Sequence, residues 1–349
     1  MTESLKVSGI NSDEVAAWLA ERAAFDGALH FELITGGRSN LTYTVSDSAS
    51  RRWVLRRPPL GMVLATAHDV AREHRLIDAL TDSPVPVPPV IGLSADDSVN
   101  GAPFYMMDFV DGLVIRDAAA ARHLSLEARS NVSQNLVKVL ARLHSLDPDD
   151  VGLGDLAKRE DYVGRQLKRW MRQFEDSQVR ELPLVREVHD RLVTTKPEQL
   201  RATIVHGDYR LDNCIISDDG DVLSVLDWEL STLGEPRADF GLLLVYWAEA
   251  HDAFAPLGDS PTTVGGFATR RQLATWYCEE SGLAFDDLDV DYFMAFSYWR
   301  LACILEGVYA RYLGGAMGDQ GVDTESFGKN VELLAETAAS ILDGNSILG

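Results

Sequence analysis

The sequence predicts an α+β fold in which a small antiparallel sheet with one helix precedes a larger, mostly helical region. Short runs rich in β-branched and aromatic residues occur between residues 29 and 110. Helical periodicity dominates after Gly112, and nearly the whole chain after Phe240 has a helical pattern. The 349 residues, of which 46% are hydrophobic and 25% charged, are enough for one large core or two lobes of a globular protein.

The elements of the first region follow from local patterns. Ser12 is the expected N-cap of a first helix. A glycine-rich link at residues 35–40 joins the first two strands, and Thr66 with Asp69 resembles a capping box at the start of a second helix. The predicted strands are 29–34, 41–45, 52–56, 90–93 and 104–112. The predicted helices are one that Ser12 caps, with Val15, Trp18 and Leu19 on one face, and one at 66–80.

The second region begins with a long helical pattern that Pro148 closes. Two further helices, at 161–175 and 184–192, precede a loop at 206–213. Short β-branched runs flank this loop, and the two runs that follow it predict a hairpin. The predicted strands of this region are 203–205, 214–216 and 222–226.

Composition limits the partners and the compartment. The net charge of −22 argues against nucleic acid or an anionic membrane as a partner, although it would suit a cationic substrate. Three widely separated cysteines without metal-type spacing predict reduced thiols in a cytoplasmic protein. The N-terminus lacks the pattern of a signal peptide. The most apolar segments, 240–248 and 293–305, are too short to cross a bilayer.

The loop at residues 206–213 carries the most specific motif in the chain. Its sequence, His-Gly-Asp-Tyr-Arg-Leu-Asp-Asn, has the kinase spacing H-x-D-x-x-x-x-N, with Gly207 where protein kinases carry Arg. In phosphoryl transfer a carboxylate accepts the proton of the attacking hydroxyl, and an Asn oxygen helps to hold Mg²⁺ against the ATP phosphates. We therefore expect Asp208 to be the catalytic base and Asn213 a metal ligand, with His206 bracing the loop.

Asp227 is the expected second metal ligand. A tight turn at Asp219-Gly220 would fold the strands on either side of it into a hairpin and bring Asp227 beside Asn213. Asp and Asn also favour turns without any catalytic role. The loop, the hairpin and Asp227 occur together in register, and this combination favours the phosphoryl-transfer interpretation.

Another segment, Asp239-Phe240-Gly241, has the same three letters as the metal-binding triplet of protein kinases. It follows Pro236 and opens an apolar helix, well beyond the predicted hairpin. We therefore interpret Asp239 as a helix cap that could be tied to the catalytic loop, and not as a metal ligand.

Two backbone segments are expected to face the nucleotide. The link 35–40 contains paired glycines with Ser and Asn, which would let backbone N–H groups approach the ATP phosphates, although such a link can also be only a turn. The end of the strand from residue 104 is where a kinase hinge would hydrogen-bond adenine. The residues expected to contact ATP in these segments are Gly37, Ser39, Asn40, Asp108, Phe109 and Val110.

Glu73 shares the apolar face of the predicted second helix, and a carboxylate on a buried face needs a cationic partner. In kinases the corresponding Glu pairs with a cation on the third strand that touches the phosphates. The expected partner here is Arg56, although kinases normally carry Lys at this place. Arg57 is the rival assignment, but strand alternation would point it to the opposite face.

These motifs together resemble the aminoglycoside phosphotransferase and choline kinase family. The family's H-G-D-x-x-x-x-N loop and its L-D-W-E segment occur here at 206–213 and 226–229, and the resemblance extends from about residue 29 to 315. It implies a bilobal protein-kinase-like fold, Mg²⁺ and ATP as cofactors, and a small-molecule hydroxyl as the phosphoryl acceptor. The implied parts are an N-lobe at 1–110, a hinge near 108–112 and a C-lobe at 111–349, with a metal hairpin at 214–227 and a helical substrate region at 240–345.

Within this family, the segments 53–61 and 298–307 resemble most the kinase-like domain that is fused to certain acyl-CoA dehydrogenases. Arg at position 56 is usual in that branch. The branch is associated with hydroxylated fatty-acid derivatives or their CoA thioesters, so the resemblance implies a hydroxyacyl acceptor. Arg300 and Arg311 could face a carboxylate or a CoA phosphate of such an acceptor, or could equally form salt bridges.

Other functions stay open at this point. An aminoglycoside or amino-alcohol acceptor would suit the acidic run at 286–291. A nucleotide-binding pseudokinase would act as a regulatory module, although Asp208, Asn213 and Asp227 are all present. A protein kinase is disfavoured, because the sequence after Asp227 has no A-P-E element.

Overall fold

The computed structural model describes residues 7–34, 40–60, 69–252, 254–256, 258–283, 286–315 and 324–348. It contains two compact units, each of which is discontinuous in sequence. The first unit is Met1–Gly112 with Leu223–Leu230, and the second is Leu113–Val222 with Ser231–Gly349. The lobe boundaries that the sequence implies stay predictions.

The helices and strands follow one another in an order that matches the predicted change from sheet to helix. In chain order they are α1 (Ser12–Ala20), β1 (His30–Leu33), β2 (Leu41–Ser46), β3 (Arg52–Arg57), α2 (Val70–Leu80), β4 (Val90–Ser94), β5 (Phe104–Asp108), α3 (Ala118–Ala121), α4 (Leu126–Ser145), α5 (Tyr162–Ser177), α6 (Pro183–Thr194), β6 (Thr203–Val205), β7 (Cys214–Ile216), β8 (Val222–Val225), β9 (Thr232–Gly234), α7 (Pro236–Tyr246), α8 (Arg270–Ser281), α9 (Asp287–Leu313) and α10 (Thr324–Leu342).

The first unit is built on a five-stranded sheet with the order β1-β2-β3-β5-β4, in which all pairs of neighbours are antiparallel. Alternation gives the sheet one face that packs against α1. The core on this face consists of Val15, Trp18, Leu19, Phe31, Tyr43, Val45, Trp53, Leu55, Phe104 and Met106. Because Trp53 and Leu55 of β3 face α1, Arg56, the residue after Leu55, projects from the other face.

Both helices of the first unit differ from prediction at their starts. The N-cap of α1 is Asn11 and not Ser12, because Ser12 is already the first helical residue. The N-cap of α2 is Asp69, whose side chain accepts a hydrogen bond from the backbone N–H of Arg72. The predicted start of this helix at Thr66 lies outside the described residues. Glu73 stands in the first turn of α2 and is buried, as the apolar pattern predicts.

The second unit is mostly helical and contains the short sheet pair β6–β9. The helix α7 lies within its core, and nearly every residue of this helix is buried. Gly241 allows α7 to approach α9 closely, since a Cβ atom at this position would lie 2.7 Å from the Cβ of Phe293. The N-cap of α7 is Glu235, so the prediction that Asp239 caps this helix is wrong. Asp239 lies in the first turn, where its side chain can reach a neighbouring loop.

The predicted thiols are present as free cysteines. Cys214 and Cys303 are buried and Cys278 is partly buried. Burial raises the pKa of both Cys214 and Cys303, which keeps these groups as neutral thiols. In the part of the chain that the structure describes, none of the helices combines the length and the apolar character needed to cross a bilayer.

Candidate active site

In the second unit, the loop at 206–213 is held in one conformation by its own sequence. Buried β6 leads into it, and Gly207 has a φ of 84°, a left-handed conformation that glycine adopts without strain. The buried Tyr209 anchors the centre of the loop, because its hydroxyl donates to the carbonyl of Leu136 at 2.9 Å. A single 3₁₀ turn, Leu211–Asn213, then leads into β7.

The Asp208 carboxylate is positioned by groups of the same loop. The Asn213 side-chain nitrogen donates to the Asp208 carbonyl at 2.9 Å and to its Oδ2 at 3.1 Å. Arg210 Nε lies 3.2 Å from the same carboxylate oxygen. The Asp208 side chain is 21% exposed, so a substrate hydroxyl can reach it. These contacts fix a carboxylate at the surface, which is what a catalytic base requires.

The Asn213 amide fits the predicted role of a metal ligand. Because its nitrogen is used by Asp208, the amide oxygen is left for a cation, and Mg²⁺ prefers oxygen ligands. Asp227 belongs to the first unit, so the predicted approach of Asp227 to Asn213 stays a prediction.

A buried carboxylate clamps the start of this loop. Asp239 accepts hydrogen bonds from the backbone N–H groups of His206 and Gly207, at 2.7 and 2.9 Å. His144 Nε2 lies 3.2 Å from Asp239, and its Nδ1 lies 2.6 Å from the Tyr277 hydroxyl. Burial acts to raise the pKa of Asp239, but these hydrogen bonds and the two neighbouring histidines hold it below its usual value. Asp239 is therefore an ionised carboxylate that holds the loop through hydrogen bonds, as the sequence analysis considered.

Arg300 of α9 reaches the same loop from another direction. Its Nη2 donates to the Gly207 carbonyl at 3.0 Å. Its guanidinium also lies over the ring of Trp170, 5.3 Å from the centroid. Of the two arginines that the sequence singled out on α9, Arg300 touches the loop and Arg311 is exposed.

In the first unit, Arg56 stands at the centre of three carboxylates. Its Nη1 lies 2.9 Å from Glu73, and its Nη2 lies 2.8 Å from Asp227 and 3.7 Å from Glu229. The ion pair that the sequence predicts between Arg56 and Glu73 is thus present. The forked guanidinium makes it possible for one side chain to bind two carboxylates at once, which a lysine ammonium does less well. Arg57 projects from the opposite face of β3, where it donates to the Gly9 carbonyl.

The charged groups of this cluster shift one another's pKa values. Burial raises the pKa of Glu73 to about 7, and the neighbouring Asp227 and Glu229 add to the rise, whereas Arg56 opposes it. Burial alone would lower the pKa of Arg56, but the surrounding carboxylates raise it, so the guanidinium stays charged.

The backbone at Asp227 is unusual. Its φ is 65°, a left-handed conformation that costs a non-glycine residue about 1–2 kcal/mol and that clusters at functional sites. The side chain is 36% exposed, and one of its oxygens is held by Arg56. A carboxylate that is fixed by an arginine and open to solvent fits the predicted role of a ligand for Mg²⁺.

The predicted nucleotide contacts are only partly within the described residues. Gly37 and Ser39 lie outside them, and Asn40 is buried, with an Oδ1 atom that has no hydrogen-bond partner in the described part of the chain. At the predicted hinge the Asp108 N–H donates to Pro89, and the Phe109 N–H donates to Arg52. These two N–H groups are therefore occupied by the unit itself. The backbone contacts to adenine from Asp108, Phe109 and Val110 stay predictions.

The acidic run at 286–291 has structural partners. Asp286 caps α9 by accepting from the Asp289 N–H at 3.0 Å, and Asp289 pairs with Arg237 at 3.0 Å. Asp291 accepts a hydrogen bond from Ser346 at 2.7 Å. The carboxylates of these three residues therefore have partners within the fold.

Residues 30–263 match the phosphotransferase enzyme family. The chain belongs to this family. It is 36% identical over 305 residues to acyl-CoA dehydrogenase family member 10 of Mus musculus, and this match covers 86% of the chain and 28% of that protein. It is 30% identical over 348 residues to family member 11 of Homo sapiens, covering 98% of the chain and 44% of that protein. The chain thus spans less than half the length of these relatives, and the predicted resemblance to the dehydrogenase-linked branch is confirmed.

Solved structures of phosphotransferases share this fold. A protein from Ralstonia eutropha, provisionally assigned as an aminoglycoside phosphotransferase, superimposes with a TM-score of 0.79 at 30% identity, covering 96% of this chain and 99% of its own. A complex of APH(4)-Ia with AMP-PNP and hygromycin B has a TM-score of 0.60 at 14% identity, covering 96% and 99% of the two chains. The similarity to APH(4)-Ia shows only that the two proteins share a fold. The predicted protein-kinase-like α+β fold is confirmed.

Sequence reasoning missed two features: the support that His144 and Tyr277 give to the loop at 206–213, and the place of Glu229 in the Arg56 cluster of the first unit. His144 and Tyr277 come from distant helices, and only their burial beside Asp239 reveals that they support the loop. Glu229 belongs to the L-D-W-E segment, and its position two residues after Asp227 was a signal that could have added it to the Arg56 cluster. The described structure does not test the chemical roles of the predicted site residues.

Proposed function

We propose that this chain is a Mg²⁺-dependent phosphotransferase that transfers the γ-phosphoryl group of ATP to the hydroxyl of a small molecule. The observation that carries this proposal is the Asp208 carboxylate, which is held at the surface of a rigid loop by Asn213 and Arg210. Membership of the phosphotransferase enzyme family supports the same reaction. Free, mostly buried thiols support a cytoplasmic location.

Each of the predicted residues has a part in the proposed reaction. Asp208 accepts the proton of the acceptor hydroxyl as the hydroxyl oxygen bonds to the γ-phosphorus of ATP and the bond from that phosphorus to ADP breaks. Asn213 and Asp227 would hold Mg²⁺, which when bound supplies positive charge against the phosphates. Arg56, fixed by Glu73, positions the nucleotide phosphates and also orients Asp227.

We propose a hydroxyacyl derivative as the acceptor. The support is the similarity to acyl-CoA dehydrogenase family members, with which the chain shares 30–36% identity. An amine-bearing acceptor is less well supported, because the carboxylates at 286, 289 and 291 are engaged within the fold.

The test is an ATP-consumption screen of purified protein with hydroxyacyl-CoAs, hydroxy acids, amino alcohols and aminoglycosides. Asp208→Ala is expected to lower kcat for the best acceptor by about 10²–10⁴-fold, because the base is lost. Its Kd for Mg·AMP-PNP is expected to stay near that of the unchanged protein. Asp219→Asn, which changes an exposed carboxylate on the hairpin turn, is the matched control.

Two results would contradict the proposal. Turnover in Asp208→Ala equal to that of the unchanged protein would show that this carboxylate is not the base. Binding of Mg·AMP-PNP without ATP use on any acceptor would favour a regulatory nucleotide-binding module instead.

A further inference from the structure

Two arginines lie near Asp208: Arg210 belongs to the same loop, and Arg300 reaches this loop from α9. The two differ in their negatively charged neighbours. Arg210 lies between two carboxylates, 3.2 Å from Asp208 and 3.2 Å from Asp212. Arg300 forms an ion pair with no carboxylate of the described residues. Its one hydrogen bond goes to the Gly207 carbonyl, and its Nε is buried without a hydrogen-bond partner in that part of the chain.

In the described part of the chain, the Arg300 guanidinium packs against an aromatic ring and not against a carboxylate. Its guanidinium lies over Trp170, and Arg169 lies over the same ring, 5.2 Å from the centroid. Burial and the Asp208 carboxylate raise the pKa of the Tyr246 hydroxyl, which hydrogen-bonds to Asp208, whereas Arg210 and Arg300 oppose that shift. The charge of Arg300 is therefore felt at the hydroxyl that touches the proposed base.

A partly buried guanidinium without a counter-ion is unfavourable unless a ligand supplies the negative charge. The lack of a carboxylate partner for Arg300 among the described residues is unusual in a chain with a net charge of −22, where carboxylates are plentiful. The forked donors of an arginine match a carboxylate or a phosphate better than they match a single neutral acceptor.

We infer that Arg300 forms an anion subsite for the phosphoryl acceptor, beside the hydroxyl that Asp208 activates. The ligand is an acceptor that carries a carboxylate or a phosphate in addition to its hydroxyl. Free hydroxy acids supply the first group and CoA thioesters the second. This inference rests on the proposed phosphotransferase function and assigns the residue that selects the charge of the acceptor.

A bracing role alone would predict a different result. If Arg300 only supports the Gly207 carbonyl, then its loss disturbs the loop and lowers the use of every acceptor alike. If it binds the anion, then its loss acts selectively on charged acceptors. The ratio of kcat/KM for a charged acceptor to kcat/KM for its neutral counterpart distinguishes the two roles.

The experiment uses three probes that share one hydroxyl: 3-hydroxybutyrate, 3-hydroxybutyryl-CoA and the neutral 3-hydroxybutyramide. In Arg300→Gln the ratio for at least one charged probe over the amide is expected to fall by about 10-fold or more, the size of a hydrogen bond to a charged group. Arg300→Lys keeps the charge and is expected to retain more of this ratio. Arg311→Gln removes an exposed arginine from the same helix and is expected to keep it fully.

The two charged probes separate the sources of the anion. A loss confined to 3-hydroxybutyrate assigns the subsite to a carboxylate, and a loss confined to the CoA thioester assigns it to a phosphate. An unchanged ratio for both probes in Arg300→Gln overturns the inference, because the residue then has only a bracing role.

Equilibrium binding keeps this test separate from that of the proposed reaction. The Kd of each probe is measured in the presence of Mg·ADP, for the unchanged protein and for Arg300→Gln. Charge-selective binding that Arg300→Gln abolishes supports the subsite even if none of the probes is phosphorylated, in which case only the proposed reaction fails. Equal or absent binding of charged and neutral probes to the unchanged protein overturns the subsite.

Discussion

Glu73 is a carboxylate for which burial and charge act against each other. Its side chain is fully buried and has Arg56 as its cationic partner at 2.9 Å. Asp227 and Glu229 approach the same guanidinium, so three negative groups share one positive charge. Burial and this excess of negative charge together raise the pKa of Glu73 to about 7. The residue therefore takes up a proton within the range in which many enzymes are assayed.

This shift predicts how stability depends on pH. Folding raises the pKa of Glu73 from 4.5 to about 7, so between these values the folded protein binds a proton that the unfolded chain has lost. The contribution of Glu73 to the free energy of unfolding then falls as pH rises from about 4.5 to 7, by roughly 3 kcal/mol at most. Urea unfolding of metal-free protein is expected to show that this rise in pH lowers stability more in the unchanged protein than in Glu73→Gln.

The exposed Glu32 provides the control for this measurement. Glu32→Gln, in the same unit, is expected to leave the pH dependence of the free energy of unfolding as it is in the unchanged protein. A Glu73→Gln curve with the original slope would show that Glu73 titrates near its ordinary value and that Arg56 outweighs burial.

How far the sequence predicts single residues depends on what determines them. Helix periodicity placed Glu73 on a buried face, and strand alternation favoured Arg56 over Arg57 as its partner, because side-chain direction follows from local geometry. The pairing itself was predicted from the kinase pattern. The left-handed backbone of Asp227 has no such local pattern, and neither has the bond from Asp239 to the loop. Both depend on how segments that are distant in sequence pack, and so only the structure shows them.

Three helices meet behind the loop at 206–213. The helix α4 contributes His144, α7 contributes Asp239 and α8 contributes Tyr277, and the hydrogen bonds among these residues end at the backbone of the loop. The sequence predicted α4 and α7 as helices from their periodicity. It could not predict the order of the contacts, which depends on the register of each helix against the others. The pairing of β6 with β9 is a similar case, because three-residue strands carry little sequence signal.

This arrangement predicts that Asp239→Asn loosens the loop. An amide oxygen can still accept one hydrogen bond, but its nitrogen faces an N–H donor, and the negative charge that attracts the loop N–H groups is lost. Amide hydrogen exchange at His206 and Gly207 is expected to become at least about 10-fold faster. The fold decrease in kcat is expected to exceed the fold increase in the KM for ATP. Tyr277→Phe removes only the outermost hydroxyl and is expected to have a smaller effect in the same direction.

Exchange at the strands of the first unit serves as the internal control for this prediction. A general loss of stability would accelerate exchange in β2 and β3 as much as in the loop. Equal acceleration everywhere would therefore contradict a local role of Asp239, whereas acceleration confined to the loop supports it.

At the scale of the whole molecule, the net charge of −22 sets the conditions under which metal binding must be measured. A highly charged chain repels itself, so any salt screens that repulsion and stabilises the fold to some extent. Mg²⁺ would stabilise this protein through screening even if it bound at no particular place. A specific site must therefore be recognised from the joint effect of the metal and the nucleotide, at constant ionic strength.

The proposed cofactors predict such a joint effect on thermal stability. A ligand at 100 times its Kd stabilises the folded state by about 2.7 kcal/mol, which corresponds to a rise in Tm of roughly 4 °C for a chain of this length. AMP-PNP with Mg²⁺ is expected to produce this rise, while AMP-PNP with EDTA or Mg²⁺ alone is expected to produce much less. In Asp227→Asn, which keeps the size of the side chain and suits the left-handed backbone but removes the charge, the joint effect is expected to be lost. An equal rise with EDTA would show that the nucleotide binds without the metal, and the roles of Asn213 and Asp227 would then have to be abandoned.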